Sequence, residues 1–276
     1  MTTRLAVRDE TVTLNGLRFS YCHWPHDGAP NLLLLHGYTG HARTWDWFAA
    51  SWQQHFNVFA LDQRGHGDTD YADDYSPQSM VDDVEAFVRE LGLAPVHIIG
   101  ASMGGRNAFM FAGQHPDAVA SLVIIDIGPQ VPEAASNRIR SNVTQRDVFD
   151  HPDEAFAQAR AANPRPADDV LRKRSDEGLK QLPDGRWTFK YDPKLRREPL
   201  QRFDPAVAWA TIRNITCPVL LVRGAESDLL SPGLAAATAA AIPDCCVVEI
   251  AGSGHPVTLD QPAAFKAAAE AFLGMT

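Results

Sequence analysis

The sequence predicts an α/β fold: a mostly parallel central sheet flanked by helices on both faces, with a helical segment inserted late in the chain. Three observations carry this. Short apolar runs alternate with amphipathic stretches, a pattern that feeds parallel strands through crossover helices. The runs lack clean polar alternation, as strands buried on both faces require. The alternation then stops between about Val131 and Ala210 and resumes afterwards.

The chain opens with Thr11 to Leu14 and Leu17 to Trp24 on either side of Asn15-Gly16, a dipeptide suited to the positive φ angles of a tight hairpin. Buried strands are expected at Asn31 to His36, Phe56 to Asp62, Val96 to Gly100, Val119 to Ile127, Cys217 to Gly224 and Cys245 to Ala251. Between them the helical candidates are Arg43 to Gln54, Pro77 to Leu91, Met103 to Gln114 and Ser231 to Ile242, with Pro262 to Leu273 closing the chain. In the interruption, Asp153 to Ala162 and Asp168 to Gln181 read as consecutive helices without an intervening strand. We expect a core domain formed by 1–130 and 211–276 and a cap, or lid, formed by 131–210. Charge sets the two apart: the cap holds 15 of the 25 basic residues but only 13 of the 34 acidic ones.

The formal net charge of -9 argues against nucleic acid or an anionic membrane as a partner. Met1 to Glu10 lacks the apolar core of a secretion signal, and no apolar run is long enough for a membrane span. Cys22, Cys217, Cys245 and Cys246 do not read as a disulfide framework. Neighbours on one strand face opposite ways, so Cys245 and Cys246 suit buried thiols. No His or carboxylate cluster joins them at zinc-ligand spacing. A cytoplasmic protein without metal or organic cofactor is expected.

The chemistry is concentrated in Val96-His97-Ile98-Ile99-Gly100-Ala101-Ser102-Met103-Gly104-Gly105, a buried strand that runs through Gly-x-Ser-x-Gly into a helix. Such a turn presents its serine on strained backbone, and small residues on either side let the main chains crowd together. The hydroxyl then lies near a helix N-terminus, where partial positive charge favours a developing anion. Ser102 is the candidate nucleophile.

With Leu32-Leu33-Leu34-Leu35-His36-Gly37 upstream, nearly the whole chain resembles the α/β-hydrolase superfamily. His36-Gly37-Tyr38-Thr39 is similar to its oxyanion loop, and Asp62-Gln63-Arg64-Gly65-His66-Gly67 to the turn after its fourth strand. The resemblance implies an oxyanion hole from the backbone N–H groups of Tyr38 and Met103, and loop-shaping rather than catalytic roles for His36, His66, Asp62 and Arg64. It also implies a triad in the chain order serine, acid, histidine. His255, in Ala251-Gly252-Ser253-Gly254-His255 after the last strand, is the expected base. Asp228, after the seventh strand, is the expected acid. Asp126, after the sixth, is a second position that some relatives use, and is otherwise structural or pocket-lining; Glu226 is a third candidate.

The resemblance further implies acyl transfer through an acyl-enzyme. Serine at the elbow excludes the aspartate-nucleophile branches, the epoxide hydrolases and haloalkane dehalogenases. Carbon–carbon hydrolases of ring-fission products are nearer, but they carry Asn before the nucleophile and an aromatic after the histidine, where this sequence has Ala101 and Pro256. A small-molecule ester or amide-like bond is therefore expected, of the carboxylesterase kind. The carbon–carbon reading and a ligand-sensing role on the same fold are the alternatives. Gly105-Arg106-Asn107 resembles relatives that act on small carboxylated amides or esters, which makes Arg106 a candidate anchor. The cap arginines Arg138, Arg140, Arg146, Arg172 and Arg174 offer others. Trp187, in the aromatic run Arg186 to Tyr191, is a candidate pocket wall for an aromatic substrate, although such a run also suits a cap core.

Overall fold

A computed structural model describes residues 7–143, 146–197 and 201–275. Met1 to Ala6 of the N-terminal reading, and the side chain of Arg140, lie outside the described residues. The chain begins with the expected hairpin, β1 (Arg8–Leu14) and β2 (Leu17–Trp24), turning through Asn15 and Gly16 at positive φ. There follow β3 (Asn31–Leu35), α1 (Asp46–Trp52), β4 (Asn57–Leu61), α2 (Pro77–Glu90), β5 (Val96–Ala101), α3 (Met103–Gln114) and β6 (Val119–Ile125). The helix expected from Arg43 is split: Ala42–Trp45 forms a 3-10 turn before α1 begins.

After β6 come α4 (Glu133–Val143), β7 (Val148–Phe149), α5 (Pro152–Ala162), α6 (Asp168–Glu177), β8 (Leu179–Gln181), β9 (Trp187–Phe189) and α7 (Lys194–Arg197). The chain then continues through α8 (Pro205–Ile212), β10 (Val219–Gly224), α9 (Pro232–Ala241), β11 (Cys245–Ile250), α10 (Val257–Asp260) and α11 (Pro262–Phe272). Eight strands make one sheet in the order β1-β2-β4-β3-β5-β6-β10-β11, antiparallel through β1, β2 and β4 and parallel from β4 onwards.

The leucine run of β3 shows how sequence makes the layers. Alternate residues of a strand face opposite ways, so Leu33 and Leu35 pack with Val84 and Phe87 of α2 and Phe109 of α3. Leu32 and Leu34 pack on the other face with Phe48 and Trp52 of α1 and Phe265 of α11. All four leucines are fully buried. Capping fixes where α2 begins: Pro77 needs no N–H partner in the first turn, and the Ser76 hydroxyl accepts from the Ser79 N–H.

The segment between β6 and α8 is not purely helical. β7, β9 and β8 form a small antiparallel sheet whose Phe149 and Leu179 pack with Ala155 of α5. The helix expected over Asp168 to Gln181 therefore ends at Glu177, because Leu179 is buried against that cluster and pairs with Phe189. The expectation that Cys245 and Cys246 are buried thiols fails. β11 is the edge of the large sheet, so Cys246 is exposed and Cys245 half-buried; all four cysteines are free. Among the described residues, no helix is long and apolar enough to cross a membrane.

Candidate active site

In a parallel sheet the loops leaving the carboxyl ends of neighbouring strands meet at one edge. Ser102 leaves β5 and Asp126 leaves the adjacent β6, both as non-glycine residues in left-handed backbone, with φ of 50° and 53°. The neighbouring strands hold these turns: Ser102 N–H donates to Ile125 O at 2.9 Å, and Asp126 N–H to Val222 O at 2.8 Å. Crowding explains the glycines of the elbow. A Cβ on Gly100 would stand 2.5 Å from Gly104 O, and one on Gly104 would stand 2.4 Å from Leu35 O.

His255 arrives from the loop after β11. Its Nε2 lies 2.9 Å from Ser102 Oγ and its Nδ1 lies 2.8 Å from Asp126 Oδ2. Asp126 is fully buried. Its Oδ1 accepts from Gly224 N–H at 2.9 Å and its Oδ2 from the Ser227 hydroxyl at 2.5 Å. An acceptor-only carboxylate on Nδ1 leaves the proton there and makes Nε2 an acceptor toward the serine hydroxyl.

The acid expected from sequence is not in this chain of contacts. Asp228 turns outward, half-exposed, into a bidentate pair with Arg138 at 2.5 and 2.7 Å, which holds its carboxyl below the usual range. The physical reason is the sheet edge. The turn after β10 points Ser227 inward to the Asp126 carboxylate and leaves Asp228, one residue on, facing the insertion. Glu226 is likewise engaged by Arg165 at 2.6 Å. Ser227 is the site residue that sequence reasoning missed; nothing in the pattern marks it apart from its place after a buried strand.

Tyr38 and Met103 both line the space beside Ser102. Met103 is the first residue of α3, so its N–H has no carbonyl to meet within the helix. His36 shapes the loop carrying Tyr38: its Nε2 accepts from Gln63 N–H at 3.0 Å, so its Nδ1 is the donor to Gly37 O at 2.8 Å. Burial drives the His36 pKa well below its usual value, and that of His66 down to about 4. Asp62 receives Ala42 N–H at 2.6 Å and Asp68 N–H at 3.0 Å, while burial lifts its pKa to about 6. Arg64 pairs with Asp83. None of the hydrogen bonds or ion pairs of these four side chains goes to Ser102 or His255.

Ser102 stands between two cavities. The narrower, about 100 Å³, is walled by Met80, Ile127, Val131 and Leu229 together with Arg106. Arg106 is beside the nucleophile, but its N–H groups are committed: Nε and Nη2 reach Asn107 Oδ1 at 3.2 and 3.0 Å, and Nη1 reaches Gln201 O at 3.3 Å. Desolvation pulls its pKa down to about 10. The wider cavity, about 510 Å³, runs from the Gly37–Gly40 loop past His255 to Arg138, Arg165 and Arg174 of the insertion. Trp187 is not where the sequence reading put it. It packs on the Phe149 cluster of the small sheet and lines neither cavity, because β9 pairs with both β7 and β8 and turns it to that core.

Fold and site geometry together define an α/β hydrolase. Residues 32–268 match the alpha/beta hydrolase family, and the chain belongs to it. It is 28% identical over 236 residues to the 2-(acetamidomethylene)succinate hydrolase of Mesorhizobium japonicum, covering 84% of each chain. A crystal structure of E-2-(acetamidomethylene)succinate hydrolase superposes with a TM-score of 0.88 at 25% identity, over 98% of this chain and all of the other. An esterase of Mycobacterium tuberculosis is 28% identical over 249 residues, 86% of this chain and 80% of the relative.

Proposed function

We propose that this protein hydrolyses a small-molecule carboxylic ester or amide-like bond through an acyl-enzyme, with Ser102 as nucleophile, His255 as general base and acid, and Asp126 as the triad carboxylate. The single observation that carries the reading is the unbroken relay from Ser102 Oγ through His255 to the buried Asp126. Its relatives are hydrolases, among them a 2-(acetamidomethylene)succinate hydrolase and an esterase, which supports the same class.

In the proposed reaction His255 Nε2 takes the Ser102 proton as Oγ attacks the carbonyl. The tetrahedral oxyanion is met by the N–H groups of Tyr38 and Met103, and His255 returns the proton to the leaving group. Water repeats the cycle and releases the acid. Asp126 holds the imidazole tautomer and stabilises the imidazolium as it forms. The insertion serves as the cap that closes both cavities over Ser102. Hydrolysis of short p-nitrophenyl esters, of amides and of ring-fission diketones by the wild-type protein and by Ser102→Ala tests the reading. Ester or amide turnover that falls at least about a thousandfold in the variant supports it; turnover confined to the diketones, or surviving the substitution, refutes it.

A further inference from the structure

Among the described residues, most cations of the insertion pair with carboxylates. Arg138 pairs with Asp228, Arg146 with Glu154, Arg160 with Asp168, Arg165 with Glu226 and Arg172 with Asp153. Arg174, in the last turn of α6, differs. It lines the wide cavity that also holds Ser102 and His255, and the adjoining space bounded by Ala159, Leu171 and Tyr191, yet among the described residues its guanidinium has neither an ion-pair partner nor a hydrogen-bond acceptor. Its backbone carbonyl accepts from Gly178 N–H and from His41 Nε2, each at 3.2 Å.

Within the cavity wall, Asp228 and Glu226 balance Arg138 and Arg165, so the Arg174 charge is left over. The histidines nearest to it supply no second charge: burial keeps His36 well below its usual pKa and holds His41 down to about 3. Enclosure also lowers the pKa of Arg174 itself. A guanidinium keeps its charge even so, and an enclosed charge without a partner is costly to maintain. Arg106, the other enclosed arginine beside Ser102, differs in that neutral acceptors occupy its donors.

We infer that Arg174 is the anchor for a carboxylate on the substrate, seated in the wide cavity, and that the protein selects esters or amides bearing such a group. This rests on the proposed hydrolytic function and adds a substrate class to it. The planar fork of the guanidinium matches a carboxylate with two parallel hydrogen bonds, and the ligand supplies the counter-ion that the fold leaves out.

The test uses the monomethyl esters of succinate, glutarate and adipate, each against its uncharged dimethyl ester, at low ionic strength so that screening does not mask the effect. A second set places the carboxylate on the alcohol half: 3-acetoxypropanoate against 3-acetoxypropanamide. Wild type is expected to favour the charged member of at least one pair. Arg174→Gln lowers kcat/KM for that member by roughly ten- to a hundredfold with the neutral partner unchanged, and Arg174→Lys restores part of the preference. Because the side chain has no partner in the fold, Arg174→Gln holds or raises Tm, which separates lost recognition from lost structure. Charged-to-neutral ratios that stay the same in Arg174→Gln across both sets overturn the inference. If wild type hydrolyses none of these esters, the proposed reaction is decided by the wider ester, amide and diketone panel, and binding of succinate dianion by calorimetry decides the anchor: binding weakened at least tenfold in Arg174→Gln supports it, and binding absent from wild type or equal in both refutes it.

Discussion

Asp126 Oδ2 receives two donors, His255 Nδ1 at 2.8 Å and the Ser227 hydroxyl at 2.5 Å, while Asp228 is taken up by Arg138. The two aspartates therefore have separable consequences. Asp126→Asn keeps the shape but offers an amide where the imidazole needs an acceptor, so the proton moves to Nε2 and the base is lost. We expect kcat to fall on the order of 10⁴-fold. Asp228→Asn removes only an exposed ion pair, worth about 0–1 kcal/mol, and should leave kcat within about threefold. Steady-state kinetics on any hydrolysed ester checks both. A larger loss in Asp228→Asn would contradict the assignment.

In the proposed mechanism Ser227 acts on catalysis through Asp126. Its hydroxyl also accepts from Leu229 and Leu230 N–H at 3.2 and 3.4 Å, so it both orients the acid and closes the turn. Ser227→Ala should lower kcat by roughly ten- to a hundredfold, in line with about 1.5–3 kcal/mol for a hydrogen bond to a charged group, with KM unchanged. The pH–rate profile should move with it, since one fewer donor stabilises the carboxylate; Ser227→Thr should restore the wild-type profile. A profile identical to wild type in the Ala variant would limit Ser227 to a structural role.

The elbow has no room for a methyl group. Gly104→Ala sets a Cβ against Leu35 O and should cost at least about 2 kcal/mol. Gly233→Ala, in the first turn of α9 with nothing within 4 Å of its added Cβ, should be neutral or stabilising by up to about 1 kcal/mol. Urea denaturation of the two variants against wild type measures the difference. Equal stabilities would contradict the packing described.

The histidines held neutral by burial make the protein acid-labile. His41 and His66 titrate at about 3 and 4 in the folded protein, and His36 well below its usual value, against 6.5 when free. Their stabilising contribution is present above pH 6.5 and is lost as pH falls below it, because the unfolded chain binds protons that the folded one refuses. Asp62 works in the opposite sense: its pKa is lifted to about 6, so the folded protein gains a proton first. His97 is held low in the same way, and Asp83 and Glu177 are raised like Asp62, so the large shifts of His36, His41 and His66 set the sign: stability is expected to fall with pH between about 6 and 4. Thermal melts across this range should show Tm falling with pH. A Tm that stays level or rises on acidification would contradict the assignment of these neutral histidines.

The parallel sheet was legible because β3, β5, β6 and β10 are buried on both faces and so read as apolar runs. The elbow was legible because its crowding admits little besides glycine at 100 and 104. The contact partner of His255 was not. Asp126 and Asp228 both follow buried strands, and the choice depends on which side chain the turn after β10 sends inward, a tertiary matter. The small sheet in the insertion was missed for a similar reason. β7, β8 and β9 are two or three residues long, too short for alternation to register. The edge position of β11 is likewise invisible from its apolar sequence.

The proposed function requires that Ser102 is a nucleophile activated by His255. Treatment with a fluorophosphonate, followed by peptide mass spectrometry, tests it most directly. One phosphonyl adduct per chain on Ser102 is expected, with labelling slowed in His255→Ala and absent in Ser102→Ala. No adduct, an adduct on another residue, or undiminished labelling of Ser102 in His255→Ala would contradict it.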